Sequence, residues 1–183
     1  MECGNMFMAS NTYKNLQRAF DGEAGASTKY AIYGRKAREE GYVQIANIFE
    51  EASMNEQEHA ELFMKLMKGG EISSTLDNLV DSYSGENEEW TNRYIGFARE
   101  ARKEGYPEIG ELFEGAAGVE RHHDARFRKL ASNIVNGTVF CKNKNVMWIC
   151  LNCGNLYYSD CAPDPCPVCG YPRGYYQLSC DNF

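Results

Sequence analysis

Residues 38–52 (REEGYVQIANIFEEA) and 102–116 (RKEGYPEIGELFEGA) fall on one another when the chain is shifted by 64 positions, and this internal repeat limits the possible folds more than any other feature. The same shift places Tyr30 on Tyr94, Arg35 on Arg99, Ala37 on Ala101, Gly41 on Gly105, Phe49 on Phe113, Glu56 on Glu120, His59 on His123 and Phe63 on Phe127. Two copies of so long a unit do not make a solenoid; they read as a duplicated helical hairpin in a pseudo-symmetric bundle. Glycine, proline and polar breaks predict four long helices over about 11–40, 43–68, 75–104 and 107–132. Pro107 suits a first helical turn. Gly69 and Gly70 end the second helix, after which the stretch to Ser74 is expected to carry the chain back along the bundle.

The acids occupy the face where a core is expected. In the second predicted helix the stripe at helical spacing runs Ile45, Phe49, Ala52, Glu56, His59, Phe63, Leu66, and in the fourth it runs Ile109, Phe113, Ala116, Glu120, His123, Phe127, Leu130. The first helix contributes Glu23 to its own stripe, and the third contributes Glu86 with Glu89 one turn on. Carboxylates gathered at one level of a bundle repel one another and must neutralise unless cations lie among them. Two Glu-x-x-His motifs plus a Glu from each remaining helix is the recurring ligand set of di-iron and di-manganese bundles, so two divalent ions bridged by Glu56 and Glu120 are expected. A single Glu-x-x-His is usually solvated surface; two at a fixed repeat, each interrupting an apolar seam, are not. His122 lies off the seam and is expected to face solvent. Tyr30 and Tyr94, a turn or two away, suit core aromatics or phenolic donors beside a metal.

A second regime begins near Asn136-Gly137, where the chain becomes rich in Cys, Pro, Gly and Tyr. Cys150-Leu-Asn-Cys153-Gly and Cys166-Pro-Val-Cys169-Gly, with 12 residues between them, form two knuckles able to converge on one tetrahedral ion. Gly154 and Gly170 permit the tight turns that aim backbone N–H groups at sulfur. Trp148, Tyr157, Tyr158, Tyr175 and Tyr176 are expected to supply the small core. An all-thiolate tetrahedral set accepts iron or zinc, and spacing does not choose between them; a neighbouring two-metal redox site favours iron.

A net charge of −7 without any Lys/Arg-rich run removes the footprint of a nucleic-acid-binding protein. No apolar run is long enough to span a membrane, and the N-terminal MECGNMFMAS does not read as an export signal. Eight cysteines in such a chain are expected to be reduced thiols used for metal or redox chemistry, with Cys3, Cys141, Cys161 and Cys180, which show no paired spacing, structural or incidental.

Together, AFDGEAGASTKY, IFEEASMNEQEHA, GENEEW, FAREARKEGY, GVERHHDARF, WICLNCGNLY and CPVCGYP resemble the rubrerythrin family from about Asn15 onward. The resemblance implies a mainly α protein: an antiparallel ferritin-like four-helix bundle (1–135), a linker (136–145) and a small rubredoxin-like four-cysteine domain (146–183). It implies that Glu23, Glu56, Glu86, Glu89, Glu120 and His123 ligate two iron ions, that His59 exchanges with Glu89 as one iron changes oxidation state, and that Cys150, Cys153, Cys166 and Cys169 hold one iron, replaceable by zinc. It also implies a cytoplasmic, homodimeric peroxidase that takes hydrogen peroxide as oxidant and electrons from an external donor, either rubredoxin or an NAD(P)H-dependent reductase. A ferritin-like iron store would share the helical pattern but needs no tethered electron carrier, and a partner-binding helical module with a zinc ribbon would be colourless.

Overall fold

In a computed structural model the described residues are 6–180; Cys3 lies outside them. The chain is mainly helical: α1 (Asn11–Glu39), α2 (Val43–Met67), α3 (Thr75–Glu88), a π-helical segment (Glu89–Arg93), α4 (Tyr94–Lys103) and α5 (Pro107–Val135) precede β1 (Cys141–Cys150), β2 (Leu156–Cys161), a 3-10 turn (Arg173–Tyr175) and β3 (Tyr176–Leu178). It divides into two units at Ser73/Ser74. No described helix is long and apolar enough to cross a membrane.

The first unit is the α1–α2 hairpin. Ser10 caps α1, its hydroxyl accepting from the Tyr13 N–H at 3.1 Å. At the other end Gly41 takes a left-handed φ of 86°, which lets Gly41 N–H reach the Arg38 carbonyl and Tyr42 N–H the Ala37 carbonyl. This two-bond cap reverses the chain in a few residues. Gly34 lies so close to α2 that an added Cβ would stand 3.3 Å from the Ala46 carbonyl oxygen. Across the same contact the Ser27 hydroxyl donates to the Ser53 carbonyl at 2.9 Å and the Ser53 hydroxyl to the Ser27 carbonyl at 2.8 Å, and Arg38 pairs with Glu50 at 2.6 Å.

The second unit repeats that hairpin with α3–α4 against α5. Gly105, at φ 91°, makes the same turn, with Tyr106 N–H on the Ala101 carbonyl. Arg102 pairs with Glu114 through two nitrogens, one at 2.7 Å. The close approach recurs with its residues exchanged: glycine now stands on the second helix, where a Cβ on Gly110 would lie 3.1 Å from the Ala98 carbonyl oxygen. Positions 34 and 98, like 46 and 110, correspond under the 64-residue shift.

The third predicted helix is not continuous. The π-helical segment interrupts it, and a π turn accommodates one extra residue. The sequence carries its mark: upstream of the segment the repeat runs at 63, not 64, aligning Thr12 with Thr75, Leu16 with Leu79, Phe20 with Tyr83, Gly22 with Gly85 and Glu23 with Glu86. The second hairpin therefore holds one residue more than the first between its acid and its tyrosine.

The apolar seams are not the buried core expected of them. Among the described residues, the buried hydrophobic side chains of the helices are alanines such as Ala37, Ala46, Ala98 and Ala117, whereas Ile45 and Leu66 on α2 and Ile109 and Leu130 on α5 are about half exposed. Two helices meeting along one strip bury only the small residues at that strip, so the large seam side chains need a further layer.

The sheet is antiparallel in the order β2-β1-β3. β1 starts at Cys141, within the segment expected to be linker. Trp148, Cys150, Ala162, Cys166 and Tyr176 form its core. The Trp148 indole N–H donates to the Ser159 carbonyl at 3.1 Å. Of the other expected core aromatics, Tyr157, Tyr158 and Tyr175 are exposed: Tyr157 and Tyr158 are neighbours on β2 and point to opposite faces of the small sheet, Tyr175 lies in the 3-10 turn, and the interior is filled by Trp148, Tyr176, Ala162 and the cysteines. Cys141 and Cys161 are also not the free thiols expected: they stand directly opposite on β1 and β2 and form a disulfide. A separation of 20 residues carries no pairing signal; strand register produces the contact.

Candidate metal centres

Each hairpin gathers one carboxylate triad. On the first, Glu23 from α1 meets Glu56 and His59 from α2; on the second, Glu86 from α3 meets Glu120 and His123 from α5; in each, one donor atom per residue lies within 4.8 Å of the others. The internal geometry repeats: His59 Nδ1 is 2.8 Å from Glu56 Oε2, and His123 Nδ1 is 2.8 Å from Glu120 Oε2. Spacing i, i+3 on a helix makes the pair neighbours on one face, and the acid on the facing helix completes the donor set. Glu86 Oε2 stands 3.7 Å from His123 Nδ1.

The second triad shows the electrostatic load of such a cluster. Burial pushes the Glu86 carboxyl up, and the hydrogen bond and charge of Glu120 push it further, with Glu89 adding to the effect and His123 opposing it. Oxygen and imidazole donors that crowd one another in this way fit a divalent cation, which would relieve the repulsion. Tyr94 is likewise pushed up, by burial first and then by Glu89 and Glu120, so its phenol stays protonated. Its ring stacks on Phe113 at 6.0 Å, as Tyr30 lies 6.1 Å from Phe49 on the other hairpin.

Glu89 is placed differently from the sequence expectation. It lies in the π-helical segment, ion-paired with Arg93 at 2.6 Å, and Arg93 also holds Glu88 at 2.7 Å; it belongs to neither triad. Together with Asp81, Ser82, Gly85 and Glu86 it lines a cavity of about 280 Å³. His59 is exposed and His123 partly buried. His122 is exposed, as expected.

Sequence reasoning missed Asp124, the buried charged side chain beside His123. It accepts from Trp90 Nε1 at 3.0 Å, from Asn87 Nδ2 at 3.1 Å and from Arg128 Nε. Burial works against its ionised form, but these three donors outweigh it and hold the carboxyl below its ordinary value. Trp90 lies inside the π-helical segment, so Asp124 ties that segment to α5. The first hairpin has Ala60 at the matching position, and that asymmetry between repeats is the signal that would have revealed it.

The four knuckle cysteines converge at one end of the sheet, Cys150 Sγ 3.8 Å from Cys169 Sγ and Cys153 Sγ 3.8 Å from Cys166 Sγ. Gly154 N–H bonds the Cys150 carbonyl and Gly170 N–H the Cys166 carbonyl, both glycines with left-handed φ. For Cys166, burial is outweighed by the Tyr176 hydroxyl and the N–H groups of Cys169 and Val168, which bring it down to about 6. For Cys153, the N–H of Asn155 favours the thiolate, but burial and the three other sulfurs prevail and push it up to about 12. The Tyr171 N–H and the Asn152 side chain bring Cys169 down as well, so the cluster favours the thiolate at Cys166 and Cys169 and opposes it at Cys153; a cation resolves that conflict by holding all four as thiolates. The Asn155 amide donates to the Tyr176 hydroxyl at 3.0 Å, steadying the donor that faces Cys166.

Comparison with known proteins agrees with both centres. The rubrerythrin family profile matches residues 14–76 and 77–147, and the profile of the rubrerythrin rubredoxin-like domain matches 148–177. The rubrerythrin of Clostridium perfringens is 41% identical over 184 residues, 92% of this chain and 94% of its own. That of Nitratidesulfovibrio vulgaris is 39% identical over 180 residues, with the same coverages. A solved structure of nigerythrin in a mixed-valence state is 28% identical, covering 93% of this chain and 88% of its own at a TM-score of 0.35, a value too low to bear on the fold.

Proposed function

The chain belongs to the rubrerythrin family, an assignment of ferritin-like helices with a di-iron site and a rubredoxin-like four-cysteine site, and from it we propose a cytoplasmic peroxidase that reduces hydrogen peroxide to water. The observation that carries this reading is the pair of matched triads, each a facing glutamate plus a Glu-x-x-His pair with the same 2.8 Å internal contact. When bound, the iron pair supplies the two electrons that cleave the O–O bond, and two protons complete the formation of water.

The residues divide the remaining work. Glu23, Glu56, Glu86, Glu120 and His123 would hold the cations, whose charge would offset that of the gathered carboxylates. Glu89, in the π-helical segment, and His59 would be the alternative ligands at one position, and Arg93 would hold Glu89 while His59 serves. Tyr94, kept protonated by burial and then by the acids Glu89 and Glu120, orients the departing oxygen by donating a hydrogen bond, and Tyr30 stands at the matching place on the other hairpin. Residues 1–135 form the peroxide-reducing part. Residues 146–183 form the carrier, in which Cys150, Cys153, Cys166 and Cys169 hold the iron that relays electrons singly from an external donor, a rubredoxin or an NAD(P)H-dependent reductase.

Stopped-flow mixing of the reduced protein with hydrogen peroxide tests the proposal. Oxidation by peroxide is expected to be much faster than by dioxygen; equal or slower oxidation by peroxide would refute it.

A further inference from the structure

We propose that Cys141 and Cys161 form a second redox site, a dithiol–disulfide couple that peroxide oxidises and a dithiol reduces, and that its state sets the length of the tether on which the four-cysteine domain delivers electrons. The pair stands at the end of β1 and β2 away from Cys150, and it belongs to none of the metal-ligand groups among the described residues. Both residues are half-buried, so small reactants reach their sulfurs. In the cytoplasm proposed above thiols are kept reduced, and a disulfide there is as a rule transient, catalytic or redox-sensing. The part played by the tether rests on the electron relay proposed above; the couple itself does not.

Strand register decides what the bond holds. β1 and β2 pair without a break from Ile149 with Leu156 to Val146 with Ser159, and there the register shifts. Cys141 lies five positions beyond Val146 on β1, but Cys161 only two beyond Ser159 on β2, so three residues of β1 are left over. Asn143, Lys144 and Asn145 are accordingly exposed. Beyond this bulge the rung is supported by the Ala162 N–H on the Phe140 carbonyl at 2.8 Å and by the Phe140 side chain against the cysteine-domain core. Keeping such a rung closed costs the entropy of the bulged loop, a cost that a covalent bond removes. With the bond formed, the tether from Val135, the last residue of α5, runs six positions to Cys141, at most about 22 Å. With the rung released it runs eleven positions to Val146, at most about 40 Å.

The two half-reactions balance. One cysteine thiolate attacks the O–O bond of hydrogen peroxide, becomes a sulfenic acid and releases one water once the leaving oxygen takes a proton; the second thiol then displaces the sulfenic hydroxyl as a second water and forms the S–S bond. In the other direction a thiolate of the dithiol attacks one sulfur to give a mixed disulfide, which its second thiol resolves, leaving Cys141 and Cys161 as thiols and the reductant as a disulfide. Peroxide thereby fastens the carrier domain while oxidant is present, and its removal lets the domain loosen.

Metal-loaded full-length protein and a Cys141→Ser, Cys161→Ser variant test the proposal. Alkylation with peptide mass mapping of the parent protein is expected to find the two cysteines joined after hydrogen peroxide and both alkylated after dithiothreitol. A pair that stays alkylatable after peroxide, or a bond that resists dithiothreitol in the folded protein, would overturn the couple. Amide hydrogen exchange in the peptide containing Ala162, which needs no electron transfer, is expected to quicken on the order of tenfold or more in the dithiol form and in the variant; unchanged exchange would overturn the release of the rung. Electron transfer from the ferrous four-cysteine site to the peroxide-oxidised iron pair, followed by the return of red colour, is expected to be about two- to threefold slower in the variant, since effective concentration falls with about the −3/2 power of tether length. Equal rates would overturn the tether's part in delivery. No transfer in either protein would refute the relay, while mass mapping and exchange would still decide the couple.

Discussion

The two hairpins carry the same triad on different supports. In the first, α1 is uninterrupted and the helices are joined near their middle by the reciprocal Ser27 and Ser53 hydroxyl bonds. In the second, one inserted residue opens a π-helical segment, adds Glu89 to the acids near the triad, and is tied to α5 through Trp90 and the buried Asp124. Duplication therefore set the common frame, and a one-residue change with a polar anchor made one half of the site different from the other. A centre that needs one stable position and one that changes ligands would use such a difference.

Removing the triads tests the common frame and has the largest expected effect. Glu56→Gln with His59→Ala, or Glu120→Gln with His123→Ala, should each lower affinity for the iron pair by on the order of 100-fold or more, since even neighbours of ligands cost about 10- to 100-fold; metal analysis after dialysis checks this. Equal losses on the two sides would support matched roles, and a loss on one side alone would break the comparison.

Asp124→Ala tests the anchor. It leaves Trp90 Nε1 and Asn87 Nδ2 without their acceptor in a half-buried place, an expected cost of about 1–3 kcal/mol in urea unfolding. Because the folded Asp124 carboxyl lies below its ordinary value, its contribution is present above the unfolded pKa and is lost as pH falls through the folded one. The variant should therefore show a shallower loss of stability in that acid range than the parent protein.

Deleting Thr91 removes the extra residue and gives both hairpins the same count between acid and tyrosine. Peroxide-driven oxidation is expected to slow by on the order of tenfold, the scale of a displaced ligand-positioning group, with overall helix content unchanged by circular dichroism. A variant as fast as the parent would show that the π-helical segment has no part in the reaction.

Much of this was legible in the sequence because it depends on local rules. The hairpin turns follow from Gly41 and Gly105, the helix limits from caps and breaks, and the cysteine cluster from two close pairs. What escaped depends on context. The π-helical segment produces no composition signal, only a slip of the repeat from 64 to 63; Asp124 looks like one more helical acid until its three donors are seen; and Cys141 meets Cys161 only through strand register. The exposed seams were read as core because spacing says which face is apolar but not which element covers it.

The smallest expected difference lies at the exchanged glycines. In Gly110→Ala the new Cβ would stand 3.0 Å from Arg102 Cγ and 3.1 Å from a backbone oxygen, against 3.3 Å for the nearest atoms in Gly34→Ala. Both variants gain up to about 1 kcal/mol in helix propensity. Gly34→Ala should thus be near neutral, and Gly110→Ala destabilising by about 1 kcal/mol through overpacking, as read by thermal unfolding.

The central claim is that the protein holds an iron pair on carboxylate and histidine side chains while the four cysteines hold a third ion. Mössbauer spectroscopy of iron-loaded oxidised protein, with metal analysis, tests it directly. The account predicts about three irons per chain, two in one spin-coupled ferric pair and one in a tetrahedral thiolate site that colours the protein red. Uncoupled iron, or a colourless protein with zinc alone, would contradict it.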